Sequence, residues 1–230
     1  MKSGRLFSGF LSLAVCAAFL PGCASGPVSD PTAFYRSLGN TKGTLKEGRY
    51  YSPDDNFSCA LPELIDAGAS VKDVSGRGER GRSGTVTFQN DLGLLLRVDW
   101  LEIPESEHPV APDPAFDRST EESYALLLFN QYKQVSPAAS LVTHEFLSDP
   151  GEEKLFVTSL LPGGSTLVDK STGRRLDAYR ASLIFRQGGW VYCLSTQSTH
   201  LPKQAPAPLN STLAQLKQTL QVFRGGFQFQ

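Results

Sequence analysis

Residues 175–195, RLDAYRASLIFRQGGWVYCLS, decide the fold. The stretch alternates with a period of two. Tyr179, Ala181, Leu183 and Phe185 fall on one face of an extended chain, and Trp190, Tyr192 and Leu194 share a face of the next. Gln187-Gly188-Gly189 is the turn between them. A link this short joins antiparallel strands, because a parallel pair needs a crossover of roughly a dozen residues or more.

The same pattern extends outward. Leu141 to Leu147 and Lys154 to Leu160 flank Asp149-Pro150-Gly151, which reads as a second hairpin, and Leu161-Pro162-Gly163-Gly164-Ser165 reads as a turn. Further upstream, Thr85 to Phe88 leads through Asn90-Asp91-Leu92-Gly93 into Leu94 to Ile103. Leu94, Leu96, Val98 and Trp100 lie on one face of that strand, with Leu95, Arg97, Asp99 and Leu101 on the other. Near the start, Tyr50-Tyr51-Ser52 and Phe57 to Leu61 are joined by Pro53-Asp54-Asp55-Asn56, whose Asp and Asn side chains favour turns. Phe57, Cys59 and Leu61 share a face, and Pro62 ends this opening hairpin. Val71 to Val74 reads as a short strand. The glycine- and arginine-rich run Gly76 to Gly84 reads as a mobile loop, and Pro104 to Pro114 as another loop.

Two segments carry a helical period instead. Ser119-Thr120-Glu121-Glu122 fits a capping box, and Ala125, Leu128, Phe129 and Tyr132 form a stripe to about Lys133. A last helix, capped by Asn210 or Ser211, is expected to bury Leu213, Leu216, Leu220 and Phe223 and to stop at Gly225-Gly226. The sum is an α+β domain: a mostly antiparallel, curved sheet of about eight strands carrying two packed amphipathic helices.

This order of elements resembles the extrinsic photosystem II protein family (PsbP-like). The matching pieces are Tyr51 to Pro62, Asp117 to Lys133, Leu141 to Ser195 and Leu213 to Phe223, within residues 49 to 224. The resemblance implies a non-catalytic accessory or binding fold, although a fold does not by itself fix a function.

The N-terminal region has a different character. Lys2 and Arg5 precede an apolar run from Leu6 to Leu20, and no acidic residue occurs before Asp30. At about 15 residues the run is short of the roughly 20 needed to span a bilayer, and it suits the apolar region of a secretory signal. Leu20-Pro21-Gly22-Cys23 resembles the lipobox of bacterial lipoprotein precursors, with Pro21 in place of the usual small residue. That resemblance implies a signal peptide over 1–22, lipidation of Cys23, and a membrane partner reached through acyl chains. Two or more such chains hold a protein stably. Ala24, where Asp would favour inner-membrane retention, implies the outer membrane. Residues 23–48, rich in Gly, Ser and Pro, then read as a lipidated tether, and 49–230 as a single domain.

Composition excludes some classes. The formal charge of the 230-residue chain is −1, and loss of Lys2 and Arg5 with the signal makes it two units more negative. Such a balance gives no global field for nucleic acid. Of the cysteines, Cys59 and Cys193 remain after Cys16 and Cys23 are accounted for. An exported compartment permits a bridge between them, and the alternative is two buried thiols acting as small apolar residues.

Candidate chemistry is sparse, and no cofactor or metal site is expected. His108 lies beside Glu105 and Glu107 without the spacing of a converging ligand set, and His144 and His200 stand alone. Asp54, Asp55 and Asn56 lack the longer ligand series of a calcium loop. No G-x-S-x-G elbow or P-loop order occurs. Arg77, Arg80 and Arg82 are candidates for contact with anionic lipid heads or cell-wall polymer, against the plainer reading of a solvated loop. Tyr50, Tyr51, Trp100, Trp190 and Tyr192 are candidates to line a groove, against the plainer reading of core. The expected function is a non-enzymatic envelope lipoprotein docking a partner protein. The alternatives are a carrier of a small molecule or lipid, and a hydrolase of envelope polymers.

Overall fold

The structure, a computed structural model, describes residues 43–61, 70–78, 81–90, 93–109, 113–149, 152–201 and 207–230. The segment read as a signal peptide, Cys23 and most of the segment read as a tether lie outside the described residues. The strands are β1 (Thr44–Lys46), β2 (Arg49–Tyr51), β3 (Phe57–Ala60), β4 (Ser70–Gly78), β5 (Gly81–Gln89), β6 (Leu95–Glu102), β7 (Ser140–Asp149), β8 (Glu152–Leu161), β9 (Ala178–Gln187), β10 (Trp190–Thr199) and β11 (Phe227–Phe229). The helices are α1 (Pro114–Val135) and α2 (Leu209–Gly225).

The architecture is α+β, with two sheets where one was expected. Seven strands in the order β4-β5-β6-β10-β9-β8-β7 form the main sheet, antiparallel throughout. The opening hairpin does not join it. β2 and β3 build a separate four-stranded sheet, β1-β2-β3-β11, flanked by β1 on one side and by β11 from the far end of the chain on the other. β1 precedes Arg49, so pairing starts inside the segment read as tether.

Period two gives the main sheet two faces, and each has its own cover. On the first face Val86, Phe88, Leu96, Val98, Trp100, Leu183, Phe185, Tyr192 and Leu194 meet the small sheet and the stripe Leu216, Leu220 and Phe223 of α2. Fully burying each of those three α2 side chains contributes roughly 1.5–3 kcal/mol. Phe57 is the hub, with ring centroids 5.3 Å from Trp100, 5.7 Å from Tyr192 and 5.4 Å from Phe227. On the opposite face Ile103, Leu155, Val157, Ile184, Val191 and Cys193 pack beneath Tyr124, Ala125 and Leu128 of α1.

The helix ends differ from expectation. α1 starts at Pro114, with the Asp113 carboxylate accepting from Ala115 N at 2.9 Å. Proline is pre-set for a first helical position, and aspartate satisfies a free amide there. Ser119 therefore sits inside the helix, donating to Phe116 O at 2.9 Å instead of capping. α2 begins after Pro208 with no side-chain cap, so neither Asn210 nor Ser211 performs that role. It ends at Gly226 in right-handed geometry, φ −83°. A β-carbon on Gly226 would stand 3.2 Å from Ala60 Cβ. Close approach to β3 is therefore what selects glycine here.

Gly76 to Gly84 is a hairpin and not a loop. β4 and β5 pair from Ser70↔Gln89 to Gly78↔Gly81. Two of its glycines, Gly81 and Gly84, accommodate neighbours that lie far away in sequence, a requirement invisible in the run itself. Gly84 lies opposite Trp100, and Gly81, at φ +114°, faces Glu102.

Candidate functional site

The residues singled out from sequence do not converge. Cys23 and Arg80 lie outside the described residues. The backbone of Arg77 sits opposite Arg82 across β4 and β5. The Arg82 guanidinium is already occupied: its Nη2 donates to Glu102 Oε1 at 2.8 Å, its Nε reaches Oε2 at 3.2 Å, and it stacks 4.9 Å over the Trp190 ring. Hydrogen bonding to Glu102 also raises its pKa.

Cys59 and Cys193 are both free and buried. They belong to opposite sides of the main sheet. Cys59 packs with Tyr50, Phe57 and Phe227, whereas Cys193 packs with Leu155, Ile184 and Val191 under α1. The sheet stands between them, which rules out the bridge. Burial pushes both thiols up to about 12. A buried, protonated thiol is a poor nucleophile.

Of the five aromatics considered for a groove, Tyr50, Trp100 and Tyr192 are about 1% exposed and belong to the core. Asp54, weighed as a calcium ligand, accepts instead from Trp100 Nε1 at 2.7 Å. His108 bonds Ile103 O at 2.9 Å through Nε2 and lies against Gly189. Among the described residues no three His, Cys, Asp or Glu side chains are placed to hold a metal, and no helix is long and apolar enough to cross a membrane.

One concave place on the surface of the described residues is one that sequence reading passed over. Between β8 and β9 the chain does not run straight into a long strand from Arg175, as expected. Residues 162–177 form a folded projection first. Val168 bridges Arg175, Leu176 N donates to Leu167 O at 3.1 Å, and Asp169 N donates to Arg174 O at 2.8 Å. The tip is closed by Asp169, whose Oδ1 accepts from the amide and hydroxyl of Ser171 at 2.8 and 2.7 Å, and by Gly173 at φ +70°. Those bonds from Ser171 hold the Asp169 carboxyl below its usual range. The signal was present in Asp169-Lys170-Ser171-Thr172-Gly173, which is turn chemistry of the Asx type.

The sheet fixes this projection rigidly. Ser165, fully buried, shares a 2.6 Å hydrogen bond with Thr199 of β10. Gln197 Nε2 of β10 donates to Thr166 Oγ1 at 2.5 Å, and Arg180 Nη2 of β9 donates to Gly164 O at 3.3 Å. Asp177 Oδ1 accepts from Gly163 N at 2.8 Å, and Ser136, just past α1, donates to Pro162 O at 2.9 Å.

Between the projection and the end of β10 lies a cavity of about 360 Å³, lined by Asp169, Thr172, Arg174, Arg175, Leu176, Asp177, His200 and Leu201. His200 is held by its amide bond to Asp177 O at 2.9 Å, and its ring meets Tyr179 edge to face at 5.0 Å. Both lining carboxylates accept backbone amides. The guanidiniums of Arg174 and Arg175 have no ion-pair partner among the described residues. Two carboxylates and two guanidiniums thus balance one another in charge around the cavity.

No protein-family model matches the chain, and no curated protein matches it. Among solved structures it is similar to the solution structure of cyanobacterial PsbP (CyanoP) from Synechocystis sp. PCC 6803. The two are 13% identical with a TM-score of 0.45, over 84% of this chain and 99% of that one. CyanoP is a PsbP-like protein. A crystal structure from Bacteroides thetaiotaomicron VPI-5482 is similar at 11% identity and a TM-score of 0.36, over 81% of this chain and 49% of that one. Neither likeness extends to activity or partner.

Proposed function

We propose that this protein is a non-enzymatic envelope lipoprotein, held at a bacterial outer membrane by acyl chains on Cys23, whose folded domain faces the periplasm and docks a partner protein. The observation that carries the reading is the sequence Leu20-Pro21-Gly22-Cys23 at the end of a short apolar run behind Lys2 and Arg5. Thioether and amide acylation at one cysteine supplies the two or more chains that stable anchoring needs.

The alternative, a carrier enclosing a lipid or small apolar molecule, requires an empty apolar space between the sheet and a helix. Phe57, Phe88, Trp100, Tyr192 and Phe223 occupy that space beneath α2. This favours recognition on the outer surface over enclosure.

The anchor is tested by metabolic labelling with a palmitate analogue. Label that disappears in Cys23→Ser supports it, and an unlabelled native protein retaining its first twenty residues rejects it. Docking is tested by photo-crosslinkers at the exposed positions Leu126, Val168 and Val222 in intact cells. One partner captured reproducibly from one of these positions supports docking. No capture, or indiscriminate capture from all three, rejects it.

A further inference from the structure

We infer that residues 43–48 form a releasable strap, latched to the domain at Asp73, whose opening lengthens the segment between Cys23 and the folded core. The latch rests on contacts within the domain, and only the gain in reach rests on the anchor proposed above.

Little holds the strap along its length. Thr44, Leu45 and Lys46 are all exposed, so β1 gains almost nothing from apolar burial. Its pairing with β2 is three residues long, and a hairpin of two short strands is marginal in water on its own. The turn opposes it as well. Glu47 and Gly48 both take positive φ, +52° and +69°. Glycine adopts that geometry freely, whereas the β-carbon of glutamate crowds the following carbonyl. Lys46 and Glu47 form an ion pair at 3.7 Å with both side chains more than two-thirds exposed, and such a pair contributes little.

The strap is fastened at its end. Gly43 N donates to Asp73 Oδ2 at 2.5 Å, and Tyr50 OH donates to the same oxygen at 3.0 Å. Tyr50 is 1% exposed and packs against Phe57 and Phe88, so this carboxylate joins the strap to the fixed core. A hydrogen bond to a charged acceptor is stronger than a neutral one. Gly43 fits there because it has no side chain: a β-carbon would collide with Tyr51 O and the Tyr50 ring. Beyond the turn the chain is fixed again. Leu61 N donates to Gly48 O at 2.8 Å, and Arg49 Nη2 donates to Ser58 Oγ at 3.0 Å. A latch at Gly43 and a pivot at Glu47 and Gly48 therefore bound a segment that can leave while the core stays closed. Release of its six residues adds about 20 Å of chain, at roughly 3.3 Å each.

Digestion of the full chain with lysyl endopeptidase reads the strap, because cleavage after Lys46 requires β1 to leave β2, and its rate follows the population of the open form. Lys154, 6% exposed in β8, is cut only on global unfolding and serves as the reference in the same digest. Gly43→Ala is expected to speed cleavage after Lys46 about tenfold or more, as loss of a charged hydrogen bond implies, with cleavage after Lys154 unmoved. Asp73→Ala should open the strap to a similar degree, and Asp73→Asn, which keeps an acceptor oxygen, should be cut at close to the native rate. Native protein cut after Lys46 as fast as Gly43→Ala overturns the latch. Equal acceleration after Lys154 in Gly43→Ala overturns a strap that opens by itself. Asp73→Asn cut as fast as Asp73→Ala overturns the role of the carboxylate as acceptor. Failure of palmitate labelling at Cys23 would remove the gain in reach and leave the digest, and the strap, unaffected.

Discussion

The indole of Trp100 lies against the bare α-carbon of Gly84 so closely that a β-carbon there would stand 2.1 Å from Cζ2. The two residues face each other across β5 and β6. Trp100 is 1% exposed and cannot swing away without disturbing Phe57 at 5.3 Å. Gly84→Ala is expected to destabilise the domain by about 3 kcal/mol, the upper part of the range for overpacking a filled core. The check is the denaturant midpoint followed by tryptophan fluorescence. An unchanged midpoint would mean that the ring has room to move.

The ring nitrogen of the same indole makes a second prediction. Trp100 Nε1 donates to Asp54 Oδ2 at 2.7 Å. This bond ties the turn between β2 and β3 to the main sheet. Asp54→Ala leaves the buried N–H without its acceptor and is expected to cost about 1–3 kcal/mol. Asp54→Asn keeps an acceptor oxygen and should cost clearly less. Equal losses in the two variants would show that the hydrogen bond is not what matters.

The elements legible in the sequence were those set by local alternation. Tyr179 to Phe185, Trp190 to Leu194 and Leu94 to Trp100 each place the named side chains on one face as the period of two requires, because successive side chains of a strand point to opposite sides. The features that were not legible depend on distant partners. Gly76 to Gly84 resembles a loop by composition, yet Gly84 is there for Trp100 and Gly81 for Glu102. Phe227 to Phe229 is too short to signal a strand until β3 is available to pair with it. The cavity escaped notice because its arginines and histidine come from segments 25 residues apart, at Arg175 and His200, that only the meander brings together.

On the α1 face, Arg97 and Asp99 form an ion pair on one strand, with Arg97 Nη2 2.5 Å from Asp99 Oδ1 and side chains 31% and 11% exposed. Burial opposes the arginine's charge, and the field and hydrogen bonds of Asp99 more than restore it. Removing the acid alone strands a mostly buried cation. Asp99→Ala is expected to cost about 2–3 kcal/mol, discounted from the fully buried range because part of Arg97 reaches solvent. Arg97→Met/Asp99→Leu together should cost less than Asp99→Ala alone. A larger loss in the double variant would contradict this account.

The thiols give a prediction in pH. Cys59 and Cys193 have their pKa raised from an ordinary 9.0 to about 12 by burial. A group with a raised pKa keeps its proton longer in the folded chain. The stability it lends is therefore complete below pH 9.0 and lost as pH climbs toward 12. Tyr50 and Tyr192 are shifted the same way, also chiefly by burial. The urea midpoint should fall as pH rises above about 9 toward 12, and Cys193→Ala should reduce that fall. A thiol reagent should find neither cysteine until the protein unfolds. Rapid modification of the folded protein would contradict the burial described for either residue.

The short strand Phe227–Phe229 lies beside Phe57–Ala60, and that neighbourhood sets a condition on biogenesis. A growing chain cannot complete its aromatic interior until the ribosome has released residue 229, so the small sheet and the seat of Phe57 against Phe227 close only after the rest of the domain has been made. Under the export proposed above, such late closure is a way of remaining exportable.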